Sequence, residues 1–181
     1  MIRSRNDCDL GNKPYIARNL AQVLIGRRAH ENFDQGIPPM PTVIFPGPEG
    51  RLEGRFSPAP RPRAPVAMIL HPHPQGGGTM NEQMTQRLYK TFVNRGFATL
   101  RFNFRGVGRS QGSFDNGIGE LSDAASALDW VQQVHPEAQV TWVAGVSFGA
   151  LIGMQLLMRR PEIRGWISIG APASMYDFSF L

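Results

Sequence analysis

The sequence predicts an α/β protein, a three-layer αβα sandwich around a mostly parallel sheet. Three observations carry this. Strand-like apolar runs alternate with amphipathic helical runs from Met40 onward. The run Val66–Leu70 is apolar at every position, as suits a strand covered on both faces. Clusters of glycine and proline punctuate the runs at the places where chain reversals are needed.

Thr42–Phe45 is a short β-prone run, and Pro46–Gly50 is dense in turn-forming residues. Arg51–Phe56 is the return strand of an N-terminal hairpin. Ser57–Ala64 is a proline-rich connector into the strand Pro65–Leu70. The segment His71–Gly78 is a loop by composition. Thr79 and Glu82 have capping-box spacing, so a helix follows, with Met84, Leu88 and Phe92 on one face and Gly96 at its C′ position. Phe97–Phe104 alternates as a strand with Ala98, Leu100, Phe102 and Phe104 on one side. Arg105–Gly112 is a glycine-rich loop. A helix over about Gly119–Val134 turns Leu121, Ala125, Leu128 and Val131 or Gln132 inward. Gln139–Ala144 is a strand, a helix runs from Ser147 to about Arg160 before Pro161, and Gly165–Ile169 is the last strand. Right-handed crossovers follow from this order.

Composition sets limits. A chain of 181 residues, 41% hydrophobic, suits one globular domain and is too apolar for general disorder. No apolar run approaches the roughly 20 residues that cross a bilayer, so no membrane partner is expected. A lone cysteine, Cys8, forms no internal disulfide, and a cytoplasmic location is expected. The net charge of +5 invites a nucleic-acid reading, but the arginines are scattered and no nucleic-acid partner is expected. Residues 1–39 read as a poorly ordered N-terminal extension ending at Gly36-Ile37-Pro38-Pro39, and 40–181 as the folded domain, with Met40 a candidate start. Arg27-Arg28 lacks the apolar stretch of an export signal, and Asp7, Asp9, Glu31 and Asp34 argue against a transit peptide.

The strongest chemical signal is Gly145-Val146-Ser147-Phe148-Gly149. This G-x-S-x-G follows an apolar strand and opens an apolar helix, the context of a nucleophile elbow. Ser147 is expected at the apex of a strained bend, with Gly145 and Gly149 too close together to carry side chains. The Phe148 N–H, at a helix N-terminus, is one donor for a developing oxyanion. The other donor belongs to the loop after the Val66–Leu70 strand. Pro72 and Pro74 have no N–H, which leaves Gln75 and then Gly76. A serine that merely caps its helix is the competing reading.

Other motifs carry less. His71 and His73 form a His-x-His pair, but no nearby side chain completes a metal ligand set, so no metal is expected. Gly106, Gly108 and Gly112 have the wrong spacing for a dinucleotide loop, and no helix opens at once. Glu120 and Asp123 favour the start of their helix electrostatically.

Together, the elbow, the His71-Pro72-His73-Pro74 loop with its glycines, and Arg101-Phe-Asn-Phe-Arg-Gly-Val-Gly-Arg-Ser-Gln-Gly112 resemble the α/β-hydrolase superfamily. They are similar to small bacterial hydrolases near the dienelactone-hydrolase and acyl-peptidase-like branches, over roughly Met40 to Leu181. The resemblance implies Ser147 as nucleophile of a serine hydrolase acting on a small-molecule ester, thioester or peptide-like acyl bond. It also implies oxyanion donors at Phe148 and at Gln75 or Gly76, and no cofactor. The family order is nucleophile, acid, histidine. Here every histidine (His30, His71, His73, His135) precedes Ser147; Asp177, just past the final strand, is a candidate acid in a minority arrangement, and the family's usual acid sits one strand later, beyond Leu181. The chain therefore looks like the first two-thirds of such an enzyme, with full activity expected only with residues beyond Leu181. His71 or His73 is a substitute base. The alternative is a catalytically impaired fragment acting as a binding or self-associating module. In that case the final strand is a sheet edge, with Trp166, Ile167 and Ile169 short of cover.

Overall fold

The computed structural model describes residues 41–176. The expectations for residues 1–39, for Met40 and for Asp177 lie outside the described residues. The elements are β1 (Thr42–Gly47), β2 (Gly50–Ser57), β3 (Val66–Leu70), α1 (Gln83–Asn94), β4 (Ala98–Phe102), α2 (Ile118–Val134), β5 (Thr141–Val146), α3 (Phe148–Leu157) and β6 (Ile163–Ile169). Six strands form one sheet in the order β1-β2-β4-β3-β5-β6. The β1–β2 hairpin is antiparallel and joins β4 antiparallel, while β4, β3, β5 and β6 run parallel. The fold is the expected α/β sandwich.

The connections reverse direction at one point. β3 leads through α1 to β4 on one side, and β5 leads through α3 to β6 on the other. With right-handed crossovers, α1 covers one face while α2 and α3 pack together on the opposite face. The crevice between the carboxyl ends of β3 and β5 is thus the topological switch point, where open α/β sheets place their ligands.

The core explains the strand assignments. Every residue of β3 is buried. Phe45, Leu52, Leu100, Phe102, Leu128 and Val131 join one hydrophobic cluster, closed by Trp130 stacked at 4.9 Å on Phe45. The helix faces differ from the periodicity reading. In α2 the buried set is Gly119, Glu120, Asp123, Ala124, Ala127, Leu128 and Val131, whereas Leu121 and Ala125 are only partly covered. Two carboxylates on the inward face rotate the helix away from its most apolar stripe. In α1, Met84 is half-buried and Leu88, Tyr89 and Phe92 point inward.

The ends of α1 show how local chemistry sets its length. Its N-cap is Glu82 itself, whose carboxylate accepts from the Met84 and Thr85 N–H groups at 2.9 and 3.0 Å. Thr79 does not cap the helix, and its Oγ1 accepts instead from Asn81. At the other end the Gly96 N–H donates to Val93 and the Phe97 N–H to Phe92, with Gly96 at φ +80°. This is a Schellman motif, and its hydrophobic contact is present as the Phe92 and Phe97 rings 5.0 Å apart.

Among the described residues, no helix is long and apolar enough to cross a membrane. β6 is an outer strand of the described sheet, and Trp166, Ile167 and Ile169 on it are each partly exposed.

Candidate functional site

β5 ends beside β3, with Gly145 paired to Leu70. The chain then turns through Ser147 into α3. Ser147 has φ +52° and ψ −115°, a conformation costly for any residue with a side chain. The strain is held from three sides. A side chain on Gly145 would strike the Gly149 carbonyl oxygen, and one on Gly149 would lie 2.5 Å from the Leu70 oxygen and 2.6 Å from the His71 oxygen. The Ser147 N–H donates to the Ile169 carbonyl at 2.8 Å, anchoring the bend to β6.

A serine serving only as a helix cap adopts extended backbone and accepts a first-turn N–H on its Oγ. Ser147 does neither: its backbone is left-handed and its side chain makes no capping bond. The residue is half-buried. Phe148, the first residue of α3, has no helical carbonyl available to its N–H.

The loop after β3 lies against this bend. His71 is fully buried, and its two ring nitrogens are both spent. Its Nε2 accepts the Phe104 N–H at 3.1 Å, so the proton sits on Nδ1 and is donated to the Pro72 carbonyl at 2.7 Å. Burial pulls its pKa down from the ordinary 6.5 to about 4, only partly opposed by the Pro72 bond. This neutral imidazole has no lone pair left, which removes His71 as the substitute base or a metal ligand.

A short 3₁₀ turn spans Pro74–Gly76. The Gln75 N–H donates to His73 Nδ1 at 3.2 Å, and the Gly76 N–H donates to the His73 carbonyl at 3.0 Å. Both amides singled out in the sequence are therefore occupied inside the turn. The His73 N–H, upstream of them, has no partner among the described residues. Eliminating Pro72 and Pro74 and counting on from Pro74 to Gln75 steps over it, since His73 lies between the two prolines. The signal was present, since His73 is the first residue after Leu70 and His71 with an N–H to give.

Aromatic rings surround the start of α3. The Phe148 ring lies 5.0 Å from His73, 5.8 Å from Phe114, 5.9 Å from Phe104 and 6.1 Å from Tyr176. The 103–112 loop that brings Phe104 here is itself clamped. Asn103 Nδ2 and the Arg109 N–H both donate to Glu53, and Ser110 bridges the Glu53 N–H and the Asn103 carbonyl.

Arg105, 2% exposed, makes a bidentate pair with Asp123 through Nε (3.0 Å) and Nη2 (2.8 Å), and Nη1 reaches Glu49 at 2.8 Å. The Arg105 backbone N–H also donates to Asp123 at 3.0 Å. These bonds hold the guanidinium charged against the cost of burial. Glu120 accepts the Asp115 and Gly117 N–H groups, closing the start of α2. Asp123 is thus a loop anchor rather than a helix-start charge. His135 bonds the Ala64 carbonyl through Nε2, at the opposite end of β3.

Residues 56–180 match the X-Pro dipeptidyl-peptidase (S15) family. An uncharacterized Rickettsia prowazekii protein is 54% identical over 145 residues, covering 78% of this chain and 61% of that protein. The crystal structure of an Agrobacterium tumefaciens protein of unknown function, described as an alpha/beta hydrolase, is 67% identical with a TM-score of 0.76, over 78% of this chain and 65% of that one. An alpha-beta serine hydrolase homologue from Coxiella burnetii is 36% identical with a TM-score of 0.71, over 78% of this chain and 67% of that one. The chain thus spans a little under two-thirds of the first two relatives. The elbow at a switch point, the sheet order and these matches lead to one assignment: the chain belongs to the X-Pro dipeptidyl-peptidase (S15) family of the α/β-hydrolase superfamily.

Proposed function

We propose that the protein is a serine hydrolase of acyl bonds (ester, thioester or peptide-like) acting through a Ser147 acyl-enzyme. The observation that carries this reading is the left-handed Ser147 backbone, which no capping or packing role requires. The hydroxyl attacks the substrate carbonyl, and the carbon–oxygen π pair moves onto the carbonyl oxygen. The Phe148 N–H receives that charge together with the turn after β3. Within that turn the His73 N–H replaces Gln75 or Gly76 as the donor, because those two are already bonded. The tetrahedral adduct expels the leaving group, and water then releases the acyl group.

Proton transfer from Ser147 calls for an imidazole, and the four histidines of the sequence all precede it. His71 is excluded by its bonding. In Ser-His-Asp hydrolases, losing the base leaves roughly 10³–10⁴-fold acceleration over water from the oxyanion donors and binding. The 181 residues acting alone are therefore expected to turn over slowly. A second reading, an impaired module that binds or self-associates, draws on the same histidine order and on the partly exposed β6 edge.

Hydrolysis of a chromogenic acetate ester and of an X-Pro anilide, each compared with Ser147→Ala, tests the reading. Loss of hydrolysis in the variant supports it and names the preferred bond. Equal rates in both proteins would overturn it.

A further inference from the structure

His73 is the hub of the turn after β3. Its carbonyl accepts the Gly76 and Gly78 N–H groups, both at 3.0 Å, and its Nδ1 accepts the Gln75 N–H at 3.2 Å. Its ring packs in a triangle with two aromatic rings, 4.9 Å from Phe114 and 5.0 Å from Phe148, which are themselves 5.8 Å apart. One side chain thus ties the turn's internal bonding to the first residue of α3. Those are the two segments to which the proposed function assigns the oxyanion N–H groups.

We propose that the His73 imidazole is a positioning residue: by capping its own turn and seating on Phe148, it sets the spacing between the His73 and Phe148 N–H groups. The proposal rests on Ser147 being the nucleophile. It explains why histidine suits a position that Pro72 and Pro74 flank. Phenylalanine packs on Phe148 but accepts no hydrogen bond. Asparagine accepts the Gln75 N–H but leaves the ring gap open. Only an imidazole with a bare Nδ1 does both, and that requirement places its proton on Nε2. The proposed oxyanion donors are then held at fixed separation before any substrate arrives, the condition under which such donors are most effective.

The role is distinct from general-base catalysis. Nδ1 already holds an N–H, and the ring contacts are aromatic, so neither feature directs a lone pair at the serine hydroxyl.

The test measures the rate at which an organophosphorus serine probe labels Ser147 in the 181-residue protein. Labelling is expected to fall by about tenfold or more in His73→Phe, because both donors lose their fixed spacing. His73→Asn is expected to recover a measurable part, because its side-chain oxygen caps the turn as the imidazole does. His73→Leu, smaller than phenylalanine and likewise without an acceptor, keeps the test open should His73→Phe fail to fold, and is expected to slow labelling in the same way. Wild-type labelling rates in His73→Phe or His73→Leu would overturn the positioning role, as would a loss in His73→Asn equal to that in whichever of the two folds. No labelling of the unaltered protein, or labelling that survives Ser147→Ala, would instead defeat the nucleophile reading and the inference with it.

Discussion

Gly145 faces Gly149 across the bend so closely that a methyl group on the first would strike the carbonyl of the second and lie 2.5 Å from the Ala150 nitrogen. Backbone cannot rotate aside as a side chain can. Gly145→Ala and Gly149→Ala are each expected to displace Ser147 and abolish its labelling by an organophosphorus probe. A methyl on solvent-facing Gly77 has nothing within 4 Å, but φ +80° makes it a strained control of the loop rather than of the bend. Intact labelling in Gly145→Ala would show that the elbow tolerates what the geometry forbids.

Asp123 holds Arg105 by three hydrogen bonds in a site that is 1% exposed on the carboxylate side. Removing Asp123 leaves the buried guanidinium with only the half-exposed Glu49 carboxylate. Asp123→Ala is expected to cost about 3–5 kcal/mol in chemical denaturation. Glu49, about half exposed at its side chain, shares the same guanidinium, and Glu49→Ala is expected to cost about 1 kcal/mol or less. Equal effects of the two substitutions would contradict the assignment of Asp123 as the main anchor.

His71 gives the protein a pH signature. Its folded pKa of about 4 lies below the ordinary 6.5, so the unfolded chain takes up the proton first as pH falls. The stabilisation is complete above about pH 6.5 and drains away down to about pH 4. At about 1.4 kcal/mol per pH unit, that window is worth on the order of 3 kcal/mol. Urea denaturation at pH 7 and pH 5 is expected to show this slope in the wild type. A His71→Asn variant is expected to be less stable at pH 7 and to lose this part of the slope.

The partly exposed β6 strand leads to a fourth expectation, self-association through the sheet edge. Sedimentation of the 181-residue protein is expected to show concentration-dependent oligomers. Ile167→Lys, which puts a charge on the strand, is expected to return the monomer. A monodisperse wild-type monomer at high concentration would rule the edge out as an association surface.

Much of the sheet was readable because its rules are local. The predicted Pro65–Leu70 strand became a fully buried strand one residue shorter, Val66–Leu70, and Pro46–Gly50 became a tight hairpin whose register pairs Gly47 with Gly50. The elbow was readable because strand, bend and helix are adjacent in the chain. The misses involve polar groups whose partners the pattern of residue types does not display, one distant in the chain and the others within a single turn. Asp123 meets Arg105 across 18 residues, and that pair turns α2 so that Leu121 is only partly buried. The donor assignment to Gln75 and Gly76 rested on which residues own an N–H. It missed that the His73 ring and carbonyl already accept both. Thr79 lost the cap to Glu82 because a carboxylate reaching two successive N–H groups outcompetes a single hydroxyl.

The hydrogen bond from the Ser147 amide to Ile169 means that the bend is braced by a neighbour at the periphery of the described sheet. Fraying there would relax the torsion that lifts the hydroxyl. Under the proposed function, reactivity and the integrity of that strand are mechanically joined, and whatever shelters that flank also holds the serine in place.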